Sequence, residues 1–196
     1  MQEGDEKFIP LILEREALRL LGQVAASRLH VLPADLLEGR HAQRVVDYVA
    51  GILARMYNAG VLSSVVIRDI PGGDIMVAWA VLVSRSDSTV ICLQGYGVEP
   101  QYLARFNDSN LINGVLESYP NLVTLCDLED IPFFESLGFQ SSGKQRFVPN
   151  ELFTMAGKLF GDRIKMFKGT KTLLSVPVFA FSDHHLTTIQ QLARGD

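Results

Sequence analysis

Between Val61 and Val98 the chain holds three apolar, β-branched stretches separated by two short turns, and this run limits the fold more than any other feature. Val61 to Ile70 and Ile75 to Val83 have strand composition, and Pro71-Gly72-Gly73-Asp74 between them carries residue types that pre-set or tolerate turn dihedrals. Ser86-Asp87-Ser88 is the second turn, and Thr89 to Val98 (TVICLQGYGV) is the third strand. The spacing predicts an antiparallel meander built from local contacts, ended by Pro100.

Helices are expected on both sides of that meander. After Pro10, apolar residues recur at Leu11, Ile12, Leu18, Leu21, Val24 and Ala25, with Glu14, Arg15 and Arg19 between them, which is amphipathic helical spacing. Pro33 closes this region, and Asp35 with Glu38 three residues later resembles a capping box opening a second helix. The second helix has Ala42, Val45, Val46, Val49, Ile52, Leu53 and Met56 on its apolar face and a stop at Asn58 to Gly60. Beyond the meander, Leu111, Ile112, Val115 and Leu116 predict a helix up to Tyr119-Pro120-Asn121. A short buried strand, Leu122 to Cys126, and a brief helix, Pro132 to Leu137 closed by Gly138, come next.

The C-terminal third is less regular. Arg146 to Val148 and Thr172 to Ser182 have strand character, with Pro177 placing the latter at an edge or bulge. Asn150 is a candidate cap for a helix running to Phe160, and Leu186, Ile189, Leu192 and Ala193 predict a terminal helix. With 196 residues, 47% of them hydrophobic, the chain suits one domain with an elaboration. Its core is expected over about residues 11–147 and the elaboration over about 148–196.

Eighteen basic against 22 acidic side chains give a formal charge of −4, so no net attraction to nucleic acid or to an anionic membrane is expected. Met1 to Lys7 is acidic and polar, and no apolar run approaches the ~20 residues needed to cross a bilayer. Cys92 and Cys126 each lie in an apolar segment, which suits buried reduced thiols. The expected location is the cytoplasm.

Two strings give these elements a family context. Val98-Glu99-Pro100-Gln101-Tyr102 looks like the V-x-P-x-Y that ends the fourth strand of the GNAT acyltransferase superfamily. Asp127-Leu128-Glu129-Asp130-Ile131-Pro132-Phe133-Phe134-Glu135-Ser136-Leu137-Gly138-Phe139 is similar to that family's "pFYeklGF" segment. The strings occur in family order, with room between them for a helix and a strand, so the chain resembles a divergent GNAT protein over about residues 11–147. The resemblance implies an α+β fold: a mixed, mainly antiparallel sheet flanked by helices, with an extra C-terminal segment.

It also implies an N-acyltransferase that moves an acyl group from acetyl-CoA or another acyl-CoA to a small-molecule amine or a protein. On this reading Val98 and Tyr102 line the cofactor cleft, Asn107, Asp108 and Ser109 face the pyrophosphate, and Glu99 or a water held by Gln94 takes the proton. The family's phosphate loop has the form Q/R-x-x-G-x-G/A, whereas the matching residues here are Leu103-Ala104-Arg105-Phe106-Asn107-Asp108. Starting the register at Arg105 recovers a basic residue but no glycine. Phe106 would crowd a phosphate, and Asp108 would bring a carboxylate to the positive end of the helix, where it is also a good cap.

Phe134 replaces the tyrosine that in many members protonates the departing thiolate, which leaves the phenols of Tyr96 and Tyr102 as substitutes. These losses define the alternative: a non-catalytic GNAT-like binding or interaction module that has lost acetyl-CoA binding. Asp183-His184-His185 is poorly spaced for one metal, and no metal site is expected. Lys158, Arg163, Lys165, Lys168 and Lys171 form a basic stretch that reads as a solvated turn or as a site for a phosphate or an acidic partner. Leu173 to Phe181 (LLSVPVFAF) is either packed into the sheet or an edge through which the C-terminal region forms a homodimer.

Overall fold

The computed structural model describes residues 5–26, 37–84, 90–141, 164–169, 179 and 181–195. Among them, α1 (Ile9–Ala26) and α2 (Ala42–Asn58) precede β1 (Leu62–Asp69), β2 (Ile75–Ser84) and β3 (Ile91–Val98). Then follow α3 (Asp108–Ser118), β4 (Leu122–Cys126), α4 (Ile131–Ser136), β5 (Gln140–Ser141), β6 (Ile164–Lys168) and α5 (Asp183–Arg194). The strands form one sheet in the order β1-β2-β3-β4-β6-β5. Every described pairing is antiparallel except β3 with β4, which is parallel.

The meander lies where the turn residues predict it. Asp69 Oδ1 accepts from the Gly72 N–H at 2.9 Å, and the first turn closes through Asp74 in a left-handed conformation, φ 56°. β2 is buried along nearly its whole length because helices cover both faces of the sheet. Trp79, Val81 and Val83 face α1, α2 and α5, while Ala78, Ala80 and Leu82 face α3 and α4, so alternate residues serve two cores.

Local chemistry ends the helices. Behind α2, the Gly60 N–H donates to the Tyr57 carbonyl and the Val61 N–H to the Met56 carbonyl, with Gly60 left-handed at φ 70°. Behind α4, Gly138 at φ 81° and Phe139 repeat this Schellman arrangement. The start of α2 departs from expectation: Asp35 lies outside the described residues, Glu38 sits in a turn, and His41 provides no side-chain cap.

The basic stretch is also corrected. Lys165 and Lys168 are on β6, an interior strand between β4 and β5, whose Ile164, Met166 and Phe167 are buried. Lys168 donates to the Leu137 carbonyl behind α4. Lys158, Arg163, Lys171 and the segments 146–148 and 150–160 lie outside the described residues, as does most of 173–181. Phe179 and Phe181 are described, and both are buried in the core beneath α1, α2 and α5.

Asp183, His184 and His185 form the first turn of α5. Ser182 Oγ accepts from the His185 N–H at 3.2 Å, and His185 Nδ1 accepts from the Ser182 N–H at 3.3 Å, a reciprocal cap. The imidazole packs among Tyr48, Phe179 and Phe181. Burial first, then the charges of His184 and Arg55, hold it below its ordinary pKa. The unfolded chain therefore takes up this proton at a higher pH than the fold does, and the contribution of His185 is complete only above the unfolded value. Stability measured by urea unfolding is expected to fall as pH drops below about 6.5. His185→Gln, which keeps a capping side chain at this position, is expected to flatten that part of the profile.

Candidate functional site

β3 and β4 run side by side only at first. Ile91, Cys92 and Leu93 register with Leu122, Val123 and Thr124, and Thr124 Oγ1 donates to the Leu93 carbonyl at 3.1 Å. Beyond Leu93, β3 continues along β2 while β4 continues along β6, and among the described residues nothing pairs with the β4-facing edge of Gln94 to Val98. The parting opens a cavity of about 290 Å³ lined by residues including Gln94, Tyr96, Thr124, Asp127, Asp130 and Phe134. Arg19 and Gln23 close it from α1.

A bulge shapes the β3 wall. Val81 registers with Gly95 and Leu82 with Leu93, so Gln94 is the extra residue. It shifts the alternation by one: Cys92 belongs to the α1-side core, Leu93 and Tyr96 to the α3-side core. The Gln94 carbonyl accepts from Arg19 Nη2 at 2.9 Å, and its side-chain Oε1 accepts from the Phe179 N–H at 2.9 Å.

Arg19 is held by a carboxylate that the sequence reading overlooked. Glu16 is fully buried, and its two oxygens accept from Arg19 Nε and Nη2 at 2.7 Å each. Burial acts to lower the Arg19 pKa, but the Glu16 charge and hydrogen bonds leave it above the ordinary value. The pair lies directly over Gly95, where a Cβ would come within 2.8 Å of Glu16 Cδ. Glycine is required here because the ion pair occupies the space of a side chain. The signal was present in the sequence: position 16 falls within the buried stripe Ile12, Leu13, Ala17, Leu20 and Leu21 of α1.

Tyr96 is the cleft's phenol. Its ring meets Phe134 edge-on at 6.4 Å, and the pKa is pushed up to about 12 by burial first and then by the charges of Asp108 and Asp130. It is therefore a hydrogen-bond donor at any ordinary pH. Cys92 is fully buried, and burial pushes its thiol up as well. Cys92 and Cys126 belong to cores on opposite faces of the sheet and form no disulfide.

Of the residues singled out from sequence, Gln94, Tyr96, Cys126 and Phe134 line the cavity. Val98 and Tyr102 pack against the α3-side core. Glu99 is buried rather than solvated, and its two oxygens accept from Arg15 Nε and Nη2 at 3.2 Å, tying α1 to the end of β3. Arg105 is exposed, while Asp108 and Ser109 are half-buried in the first turn of α3. The cap of α3 is Asn107, not Asp108: its side chain accepts from the Asn110 N–H at 3.0 Å. Burial raises the pKa of Asp108.

The start of α3 is a poor fit for the diphosphate of coenzyme A. The N–H groups of Leu103, Arg105, Phe106, Asn110 and Leu111 donate within the chain, to the carbonyls of Pro100, Tyr102 or Asn107, which leaves those of Asp108 and Ser109 at the first two helical positions. Phe106 packs against the α3-side core, and the Asp108 carboxylate is at the first helical position, where an anion would otherwise bind. The β3 edge that has no strand partner among the described residues, by contrast, suits an extended chain carrying amide groups, as a pantetheine arm does.

Among the described residues, the sheet order and the one parallel pair that parts match the GNAT fold expected from the sequence. No family model matches the chain, and no curated protein matches it in sequence. Among solved structures, it is similar to spermidine N-acetyltransferase from Vibrio cholerae in complex with CoA and spermine, at 12% identity and a TM-score of 0.49, covering 85% of this chain and 90% of that one. A Bacillus subtilis acetyltransferase in complex with CoA aligns at 11% identity and a TM-score of 0.42, over 69% of this chain and 89% of that one. A chimera of the Vibrio cholerae and human spermidine acetyltransferases aligns at 15% identity and a TM-score of 0.46, over 63% and 76%. No helix among the described residues is long and apolar enough to cross a membrane.

Removing one partner of the buried pair leaves the other charge uncompensated. Glu16→Ala is expected to lower stability by ~3–5 kcal/mol in urea unfolding, whereas Glu16→Leu with Arg19→Leu should lose much less.

Proposed function

We propose that the protein is a divergent GNAT-type N-acyltransferase that moves an acyl group from a pantetheine thioester to an amine. The observation that carries this reading is the cavity where β3 and β4 part, which sets beside the Tyr96 phenol a strand edge without a strand partner among the described residues. The donor, when bound, supplies a thioester carbonyl activated for attack by an amine.

The chain's own residues have separate tasks in this reading. The β3 edge from Gly95 to Val98, which has no strand partner among the described residues, offers backbone donors and acceptors to the amides of the donor's arm. Tyr96 donates a hydrogen bond toward the sulfur or the carbonyl oxygen of the thioester, the task for which Phe134 has no proton. Gln94 accepts the Phe179 N–H through Oε1, which orients its amide nitrogen to hold the water that takes the amine's proton. Glu99, clamped by Arg15, positions the end of β3 and does not itself receive the proton. Asp127 and Asp130 at the cavity lining favour a cationic acceptor.

A second reading has its own observation: a carboxylate and a loop without glycine at the start of α3 favour a binding module without transferase activity. Calorimetry with acetyl thioesters and turnover assays with a panel of amines separate the two. Binding together with transfer supports the first, and binding without transfer to any amine supports the second. For an active enzyme, Tyr96→Phe is expected to reduce kcat ~10–100-fold with a smaller change in KM, measured by thiol release.

A further inference from the structure

We infer that the donor is recognised by its acylated pantetheine arm and not by its nucleotide, so that the ADP portion of coenzyme A contributes nothing to affinity here. This rests on the acyltransferase reading and specifies the donor class for the same cleft.

Two parts of the structure lead to it. At the cleft, the β3 edge beyond Leu93 is without a strand partner among the described residues and borders the cavity, so an amide-bearing chain has groups to bond. At the start of α3, where a helix N-terminus ordinarily attracts phosphate, several of the same kinds of groups are already engaged, and those of Asp108 and Ser109 lie beside the Asp108 carboxylate. Arg105 and Phe106 N–H donate to the Tyr102 carbonyl at 2.8 and 2.9 Å, and the Asn110 N–H donates to the Asn107 carbonyl and side chain at 3.1 and 3.0 Å.

Side chains act against the nucleotide as well. Every residue from Leu103 to Leu111 carries a Cβ, so the backbone cannot approach a phosphate as closely as a glycine loop does. The Asp108 carboxylate sits at the first position of α3 and makes its charge felt at Tyr96, inside the cleft. A diphosphate there would meet a like charge where it needs a donor. The thioester end and the diphosphate end of coenzyme A thus have opposite prospects on one surface. The donor's shared chemistry is an acyl-S-pantetheine group, whether on a small molecule or on a phosphopantetheinylated carrier protein.

The test is calorimetric titration of the full chain with acetyl-CoA, S-acetylpantetheine and an acetylated carrier protein. Acetyl-CoA and S-acetylpantetheine are expected to bind within about threefold of each other, since no phosphate contact separates them. A carrier protein that binds more tightly than S-acetylpantetheine identifies a protein-borne donor, and equal binding identifies a small-molecule one. Acetyl-CoA binding about tenfold or more tighter than S-acetylpantetheine overturns the inference and leaves the acyltransferase reading standing. Absence of binding by all three removes that reading itself. Asp108→Asn is expected to shift the ratio severalfold toward acetyl-CoA, and a ratio that does not move overturns the role given to the carboxylate.

Discussion

The cleft depends on β3 losing one neighbour while keeping the other. A strand that parts from β4 after three registered residues has no strand partner on that edge among the described residues, and something must hold it in that course. β2 does so on one side, through a ladder that resumes past the bulge at Gln94. α1 does so from above, where Arg19 bonds the Gln94 carbonyl and Arg15 holds Glu99 at the strand's end. The first helix is thus fastened to β3 at both ends of its diverging half.

That fastening is ionic although the surroundings are apolar, which calls for a reason other than stability. A buried pair gains little over well-packed hydrophobic residues, because desolvation opposes the attraction between the charges. What it supplies is placement: Glu16 and Arg19 fit only over a residue without a side chain, and Gly95 is the position that lacks one. Sliding α1 along β3 would set both charges against Cβ atoms or against the Trp79 indole, which already lies 3.2 Å from where a Cβ on Gly97 would be. The pair therefore fixes helix against strand, and through the Gln94 carbonyl it fixes the bulge that aims the cleft wall.

Features written in neighbouring residues were legible in the sequence, and features requiring distant partners were less so. The meander, the α2 stripe and the glycine stops after α2 and α4 depend on turn dihedrals and period, which a few adjacent residues determine. β6 was read as part of a basic turn because Lys165 and Lys168 dominate a five-residue stretch, and it becomes a strand only through pairing with β4. Arg19 looked like a solvated helix residue until Glu16, three positions earlier on the buried stripe, supplied its partner. At the site, Gln94 could be picked from its strand, but the inward course of Tyr96 depends on a one-residue bulge that composition does not reveal. Glu99 was read as a candidate base because nothing near it in sequence announces Arg15, eighty-four positions away.

The two ends of the candidate donor site are built by different parts of the chain, and this explains how one can change without the other. The cleft belongs to the sheet: its shape follows from strand order, the bulge and the α1 clamp, so altering it would disturb the core on both faces. The start of α3 is a loop and a helix cap, where Asn107 satisfies a helical N–H as well as a ligand would, and substitution at its exposed positions such as Arg105 and Asn107 leaves the core intact. Glycines at such a loop cost conformational entropy in folding, and once no anion rewards them, residues that close the turn on itself are the more stable choice. A capped, carboxylate-bearing helix start beside an open cleft is the arrangement that the proposed recognition by the arm alone requires.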